Sequence, residues 1–241
     1  MNQGTTLCAL ARRGARLLRA EGPWAVLRQT WAFSGWIVGR CVAARSVYLY
    51  EHSLVPRDRA KFLPRVASWE LRVIHSNEEA DRVAAEGLED LRDVFVFSRR
   101  SLDRGAVVFC VYIGTELAHV GWVATSQIAK NCVDKMPFQV AFDAGQACTG
   151  GTYTIRRFRG MGLMGYGYYE RFEYLRQRGY ASVRNSVVVS NVTSQKVHAK
   201  FEPLIYGVGR YRKLFRWVSW RTFELPGGPR RGMPPPQSGG R

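Results

Sequence analysis

Arginine and glycine crowd into one short run of the chain, Arg157-Phe158-Arg159-Gly160-Met161-Gly162, and helical periodicity begins directly after it. Glycines allow the backbone to turn its N–H groups outward, and a helix start adds about half a positive charge. Together these make a site for an anion, and a pyrophosphate suits it well. The amides of Gly160, Met161, Gly162, Leu163 and Met164 would be its donors, with Arg159 adding charge. The bland alternative is a tight strand-to-helix connection that binds nothing. A second group of polar residues, Asn191, Ser194 and His198, follows one strand later. A histidine titrates near pH 6.5 and can supply a proton at neutral pH, although a lone histidine on a short helix often only caps or faces solvent.

The elements that must carry these residues are legible around them. Tyr153 and Ile155 give a β-prone half, and Met164, Tyr168, Phe172 and Leu175 then recur at helical spacing. Arg176, Arg178 and Gly179 close that helix. Residues 182–189, SVRNSVVV, are β-branched, and Asn191 is the expected cap of a short helix. Upstream, residues 69–75 alternate as a strand, and Ser76 with Glu79 forms a capping-box signature. Residues 106–113 and 116–123 read as strands joined by Gly114-Thr115, a length suited to a type II′ hairpin. Residues 124–148 have no clear period and read as a loop or irregular insertion. Residues 149–157 form the next strand, with Gly150-Gly151 marking a bulge. Residues 204–212 and 214–224 complete the sheet as a basic, aromatic pair.

The glycine turn resembles motif A of the GNAT superfamily of acyl-CoA-dependent N-acyltransferases, Arg/Gln-x-x-Gly-x-Gly/Ala. Arg159 and Gly162 match in the register adopted, with Met164 where a small residue is usual; a register from Arg157 to Gly162 also fits. Asn191, Ser194 and Lys200 match motif B, His198 stands where many members carry a tyrosine, and Glu202-Pro203 replaces the usual Gly-Phe. The resemblance covers residues 67–225. It implies a mixed α/β fold, with a mostly antiparallel central sheet flanked by helices. The fourth strand of that sheet splays from the fifth to admit the acyl-CoA arm.

The activity implied is transfer of an acetyl or other acyl group from acyl-CoA to an amine. The strand edge near Tyr153, Ile155 and Arg157 would hold the pantetheine and polarise the thioester carbonyl, and His198 would return a proton to the thiolate. Asn191 and Ser194 complete the implied cofactor set. No base stands out: His119 has a core position, Glu116 adjoins the hairpin turn, and Asp143 and Tyr153 lack distinguishing context. The acidic run from Glu78 to Asp93 could attract a cationic amine or be a solvated helix face.

Composition adds a basic surface. The net charge is +17, which draws a protein to membranes or nucleic acid. Residues 1–66 read as a basic amphipathic helical extension. Its longest uncharged run, Gln29 to Gly39, has 11 residues, whereas a spanning helix needs about 20. Residues 1–47 suit a helix lying on an anionic membrane, or an ordinary helix packing its tryptophans on the catalytic domain or a second subunit. Residues 226–241, rich in Pro and Gly, read as a disordered tail. Five cysteines without metal-ligand spacing suggest reduced thiols, no metal and a cytoplasmic setting, peripheral on the inner membrane face if the extension binds lipid. Two other readings remain, a non-catalytic acyl-CoA-binding protein and a basic nucleic-acid-binding protein whose sheet aromatics stack on bases. Oligomeric state is not specified by the sequence.

Overall fold

The computed structural model describes residues 42–95, 97–225 and 227–231. Its strands are β1 (Val42–Ser53), β2 (Glu70–Ile74), β3 (Val107–Ile113), β4 (Glu116–Ala124), β5 (Gln146–Thr154), β6 (Ser182–Val188), β7 (Leu204–Leu214), β8 (Trp217–Phe223) and β9 (Arg230–Arg231). The helices are α1 (Asn77–Ala85), α2 (Leu91–Val94), α3 (Ser98–Asp103), α4 (Gln127–Val133), α5 (Leu163–Gln177) and α6 (Val192–Ala199). The strands form one sheet in the spatial order β2-β3-β4-β5-β6-β1-β7-β8, with β9 on β7. Pairing from β2 to β5 is antiparallel, as is β6 with β1, while β5 and β6 are parallel. The fold is mixed α/β, a mostly antiparallel sheet flanked by helices.

Two compact units divide the chain. The larger holds Ser46–Arg210 and residues 221–231, and the smaller has 42–45 and Tyr211–Trp220 as its described residues. In the larger unit α5 lies across β3, β4 and β5. Tyr168, Tyr169, Phe172 and Leu175 of α5 meet Phe109, Val123, Ala147 and Val183 of the sheet in the main core. A second cluster, Val111, Ala118, Phe158, Leu163 and Tyr166, anchors the segment that enters α5.

Local chemistry explains the boundaries. Ser76 accepts the Glu79 amide at the start of α1, and the Glu79 carboxylate takes the His75 amide rather than that of Ser76. Gly114 turns the β3–β4 hairpin with a φ of 60°, as the first position of a II′ turn requires. The bulge falls where expected: Val120 pairs with Tyr153 but Trp122 pairs with Gly150, so β5 carries one extra residue there. Past α5, the Tyr180 amide bonds to the Leu175 carbonyl and the Gly179 amide to that of Arg176, a Schellman end.

Four expectations change. Residues 42–53 are not helical: they form β1, whose Val47 to Ser53 pair with Val188 to Ser182 of β6. The expected boundary at residue 66 therefore cuts through the sheet, because β1 finds its partners more than a hundred residues downstream. Residues 1–41, on which the helical extension chiefly rests, lie outside the described residues, as do 226 and 232–241 of the tail. Arg230–Arg231 of that expected disordered tail, however, form β9, held by antiparallel pairing with Leu204 and Ile205 of β7. Residues 124–148 contain a helix, α4, whose Ser126 cap accepts the Ala129 amide at 3.2 Å. At 7 residues it is too short to declare a period. The strand expected to Arg157 ends at Thr154, and Arg156–Phe158 form a 3-10 turn.

Candidate functional site

Parallel pairing of β5 with β6 is confined to Gln146–Ser182, Ala147–Val183 and Cys148–Arg184. Beyond it β5 stays with β4 and β6 stays with β1, so the two strands part as a wedge. Asn185 Nδ2 donates to Thr149 Oγ1 at 3.2 Å where they separate. Among the described residues, the edge of β5 turned away from β4 thus lacks a ladder partner from residue 149 onward, and its backbone groups can pair with an extended ligand. The expected splay between these strands is present.

The far end of that edge runs into the glycine turn. Gly160 and Gly162 have φ values of 84° and 79°, which a β-carbon would strain. Both glycines and Arg159 are exposed. The first bond within α5 runs from the Tyr166 amide to the Gly162 carbonyl. The amides of Leu163, Met164 and Gly165 are therefore first-turn donors with no partner inside the helix. Arg65 donates its own amide to the Met161 carbonyl at 2.8 Å, bringing a further arginine to the turn. Two exposed glycines and the exposed Arg159 thus adjoin the start of a helix, as an anion site needs.

The remaining predicted residues divide in role. Arg159 Nε donates to the Thr154 carbonyl at 3.2 Å, and its guanidinium lies 5.7 Å from the Tyr153 ring. Arg157 turns away to pair with Glu116 at 2.7 Å. Ile155 and Met161 pack on the cluster beneath the turn, Leu163 is buried there, and Met164 packs on the main core. Asn191 Oδ1 accepts the Ser194 amide as the cap of α6, and Ser194 is buried.

His198 does not fit the role of proton donor. It is fully buried, with Nδ1 at 3.1 Å from His52 Nε2 and its ring packed 4.4 Å from that of Tyr168. Burial, reinforced by the Arg171 guanidinium, pushes its pKa down to about 3, so it is neutral near pH 7. Tyr168 stands in front of it, with Thr152 Oγ1 at 3.3 Å from its hydroxyl. His119 is likewise buried and pushed down to about 3, first by burial and then by Arg171. His52 is buried and pushed down as well, so three of the four histidines, His52, His119 and His198, form a neutral interior set.

One residue near the wedge escaped sequence reasoning. Asp134, at the end of α4, receives Ser186 Oγ of β6 at 2.7 Å and the Met136 amide at 2.8 Å. A β-carbon on Gly150 of β5 would come within 3.3 Å of the Asp134 side chain. Side chains alternate across a strand, so Gly150 and Ser186 lie on the face opposite Ala147 and Val183, which pack toward α5. Asp134 therefore bonds to β6 and packs beside Gly150 of β5 on the side away from α5. Burial raises its pKa, against the opposing effect of its hydrogen bonds and Lys130. Only a flanking aperiodic sequence surrounds it, which left no signal to read. The acidic run offers less: Arg92 holds Asp81 and Asp90, Arg72 holds Glu86, and Glu79 takes the His75 amide. Among the described residues no group of three His, Cys, Asp or Glu side chains could hold a metal ion, and no helix is long and apolar enough to cross a membrane.

No protein-family model matches the chain, and no curated protein matches it. The solved structures similar to it are mostly GCN5-related N-acetyltransferases. A tandem GNAT protein from the clavulanic acid biosynthesis pathway is 18% identical, with a TM-score of 0.44 over 83% of this chain and 58% of that one. A GCN5-related N-acetyltransferase-like protein from Streptococcus suis is 13% identical, with a TM-score of 0.42 over 79% of this chain and 67% of that one. A GNAT-family acetyltransferase from Colwellia psychrerythraea is 13% identical, with a TM-score of 0.41 over 80% and 62%. The chain spans about three fifths of the length of the structures it matches.

Proposed function

We propose that this protein transfers an acetyl or other acyl group from acyl-CoA to an amine. The observation that carries the reading is one continuous path, in which the unpaired edge of β5 leads straight into an exposed Gly-Arg turn at a helix N-terminus. The residues fit an extended ligand that ends in a pyrophosphate. The amides of Gly160 to Met164 hold the phosphates, with Arg159 and Arg65 adding charge, and the β5 edge by Tyr153 and Ile155 holds the pantetheine. The bound ligand supplies an activated thioester.

The protein's own part is positioning and proton movement. Backbone donors fixed along β5 orient the carbonyl without reorganising, which is commonly the largest catalytic contribution. Asp134 is the base that takes a proton from the acceptor amine, since it lies beside Gly150 of β5 and Ser186 of β6 where the strands part and burial favours proton uptake. Tyr168, rather than His198, offers the hydroxyl on the α5 side for proton return. Residues 1–41 as a membrane anchor and a cytoplasmic location belong to the same reading, resting on the basic, tryptophan-rich sequence.

Isothermal titration with acetyl-CoA tests the reading, beside a Gly162→Asp variant that sets a carboxylate in the phosphate position. Gly162 is exposed and an added β-carbon meets nothing nearer than 3.7 Å, but its φ of 79° strains any side chain, so thermal unfolding must first show that the variant is folded. Binding lost in the variant, followed by thiol release with an amine, is the expected result. A folded wild-type protein that binds neither acetyl-CoA nor longer acyl-CoAs would overturn it.

A further inference from the structure

The smaller unit ends the β7–β8 hairpin in residue types that hairpin stability does not require. Strand β7 stops at Leu214, β8 starts at Trp217, and Phe215-Arg216 make the turn. Phe215 has a φ of 53°, a left-handed conformation that favours Gly or Asn and that a bulky aromatic adopts at a cost. Its ring is not sheltered in return. Phe215 is 66% exposed and Trp217 62%, with Leu214 and Val218 about half exposed beside them. Four large apolar side chains within five residues thus face water at the tip. Arg212, Lys213 and Arg216 lie among them, and residues 203–223 contain no Asp or Glu. Among the described residues no carboxylate pairs with any of these three cations.

We propose that this tip inserts into the surface of an anionic lipid bilayer. Phe and Trp side chains with Leu and Val enter the headgroup–acyl boundary, and the adjoining cations meet lipid phosphates. The charge is complementary, and a strained aromatic at the turn is explained by a contact outside the molecule rather than within it. Nucleic acid fits less well, because Leu214 and Val218 offer no face on which a base can stack. The inference does not rest on acyl transfer. It also concerns a segment distinct from residues 1–47.

The test is co-sedimentation of the full chain with phosphatidylcholine vesicles containing or lacking phosphatidylglycerol, against a Phe215→Asn, Trp217→Ser variant. Asn suits the left-handed position, so the turn is retained while net charge is unchanged. Thermal unfolding checks the fold, and Phe215→Asn alone serves if the double variant is destabilised. Wild-type binding to the anionic vesicles should weaken about tenfold or more in the variant, as expected for losing buried aromatic area. Equal binding by wild type and variant would overturn the proposal. So would wild-type protein that ignores anionic vesicles, whether or not it binds a 20-nucleotide probe.

Discussion

Asp134, the proposed base, is held by two hydrogen bonds, and the one from Ser186 also ties the end of α4 to β6, so the two roles must be separated. Asp134→Asn keeps the shape and removes the base, whereas Ser186→Ala removes the tie and keeps the carboxylate. With an amine that supports thiol release, Asp134→Asn should lower kcat by about a hundredfold or more while acetyl-CoA affinity holds. Ser186→Ala should fall far less. A base must be deprotonated to act, and burial raises the pKa of this one. The acid limb of the wild-type kcat profile should therefore lie above the ordinary carboxylate range and vanish in Asp134→Asn. An unchanged kcat would remove Asp134 from the mechanism. At this scale the turn itself was legible in the sequence, because Gly160 and Gly162 meet a backbone requirement that is local. The burial of His198 against His52 and the bond from Ser186 to Asp134 were not legible, because each depends on a partner from a distant part of the chain.

Among the elements, α5 joins the turn to the sheet, and two of its glycines separate helix propensity from packing. A β-carbon on Gly165 would meet nothing within 4 Å, whereas one on Gly167 would lie 2.5 Å from His119 Nε2. That ring cannot easily yield, since it is buried and its Nδ1 bonds to Thr154 Oγ1 at 2.8 Å. Gly165→Ala should gain up to about 1 kcal/mol from reduced backbone freedom. Gly167→Ala should lose about 1–3 kcal/mol through overpacking. Denaturant unfolding of both variants checks the pair, and two shifts of the same sign would contradict it. Helix ends and the hairpin were legible, since Ser76, Asn191, Gly114 and Gly179 each act within four residues of themselves. Helix α4 was not, being short. Strand β1 was not either, because its identity depends on β6 and β7 rather than on its own residues.

Taken as a whole, the molecule carries an acid sensitivity in its interior. His52, His119 and His198 are fully buried, and burial lowers the pKa of each, to about 3 for His119 and His198. Above about pH 6.5 neither the folded nor the unfolded chain protonates them, so they contribute no pH dependence. As pH falls below that, the unfolded chain takes up protons that the native interior refuses. Each such imidazole then costs about 1.4 kcal/mol per pH unit, down to its folded pKa. The thermal midpoint should be nearly level from about pH 8 to 6.5 and then fall steeply. A level midpoint down to about pH 4.5 would mean that these rings are charged or exposed in the native protein. The place of β1 in the sheet carries a consequence of another kind, one of timing. Emerging from the ribosome, β1 precedes both of its neighbours, and the Arg184–Glu51 bond that crosses to β6 joins residues 133 apart. Until β6 and β7 have been synthesised, the middle of the sheet has no flanks on which β1 can dock. A nascent chain must therefore carry an unpaired central strand through most of its translation, and closing so long a loop makes that pairing a late event in folding.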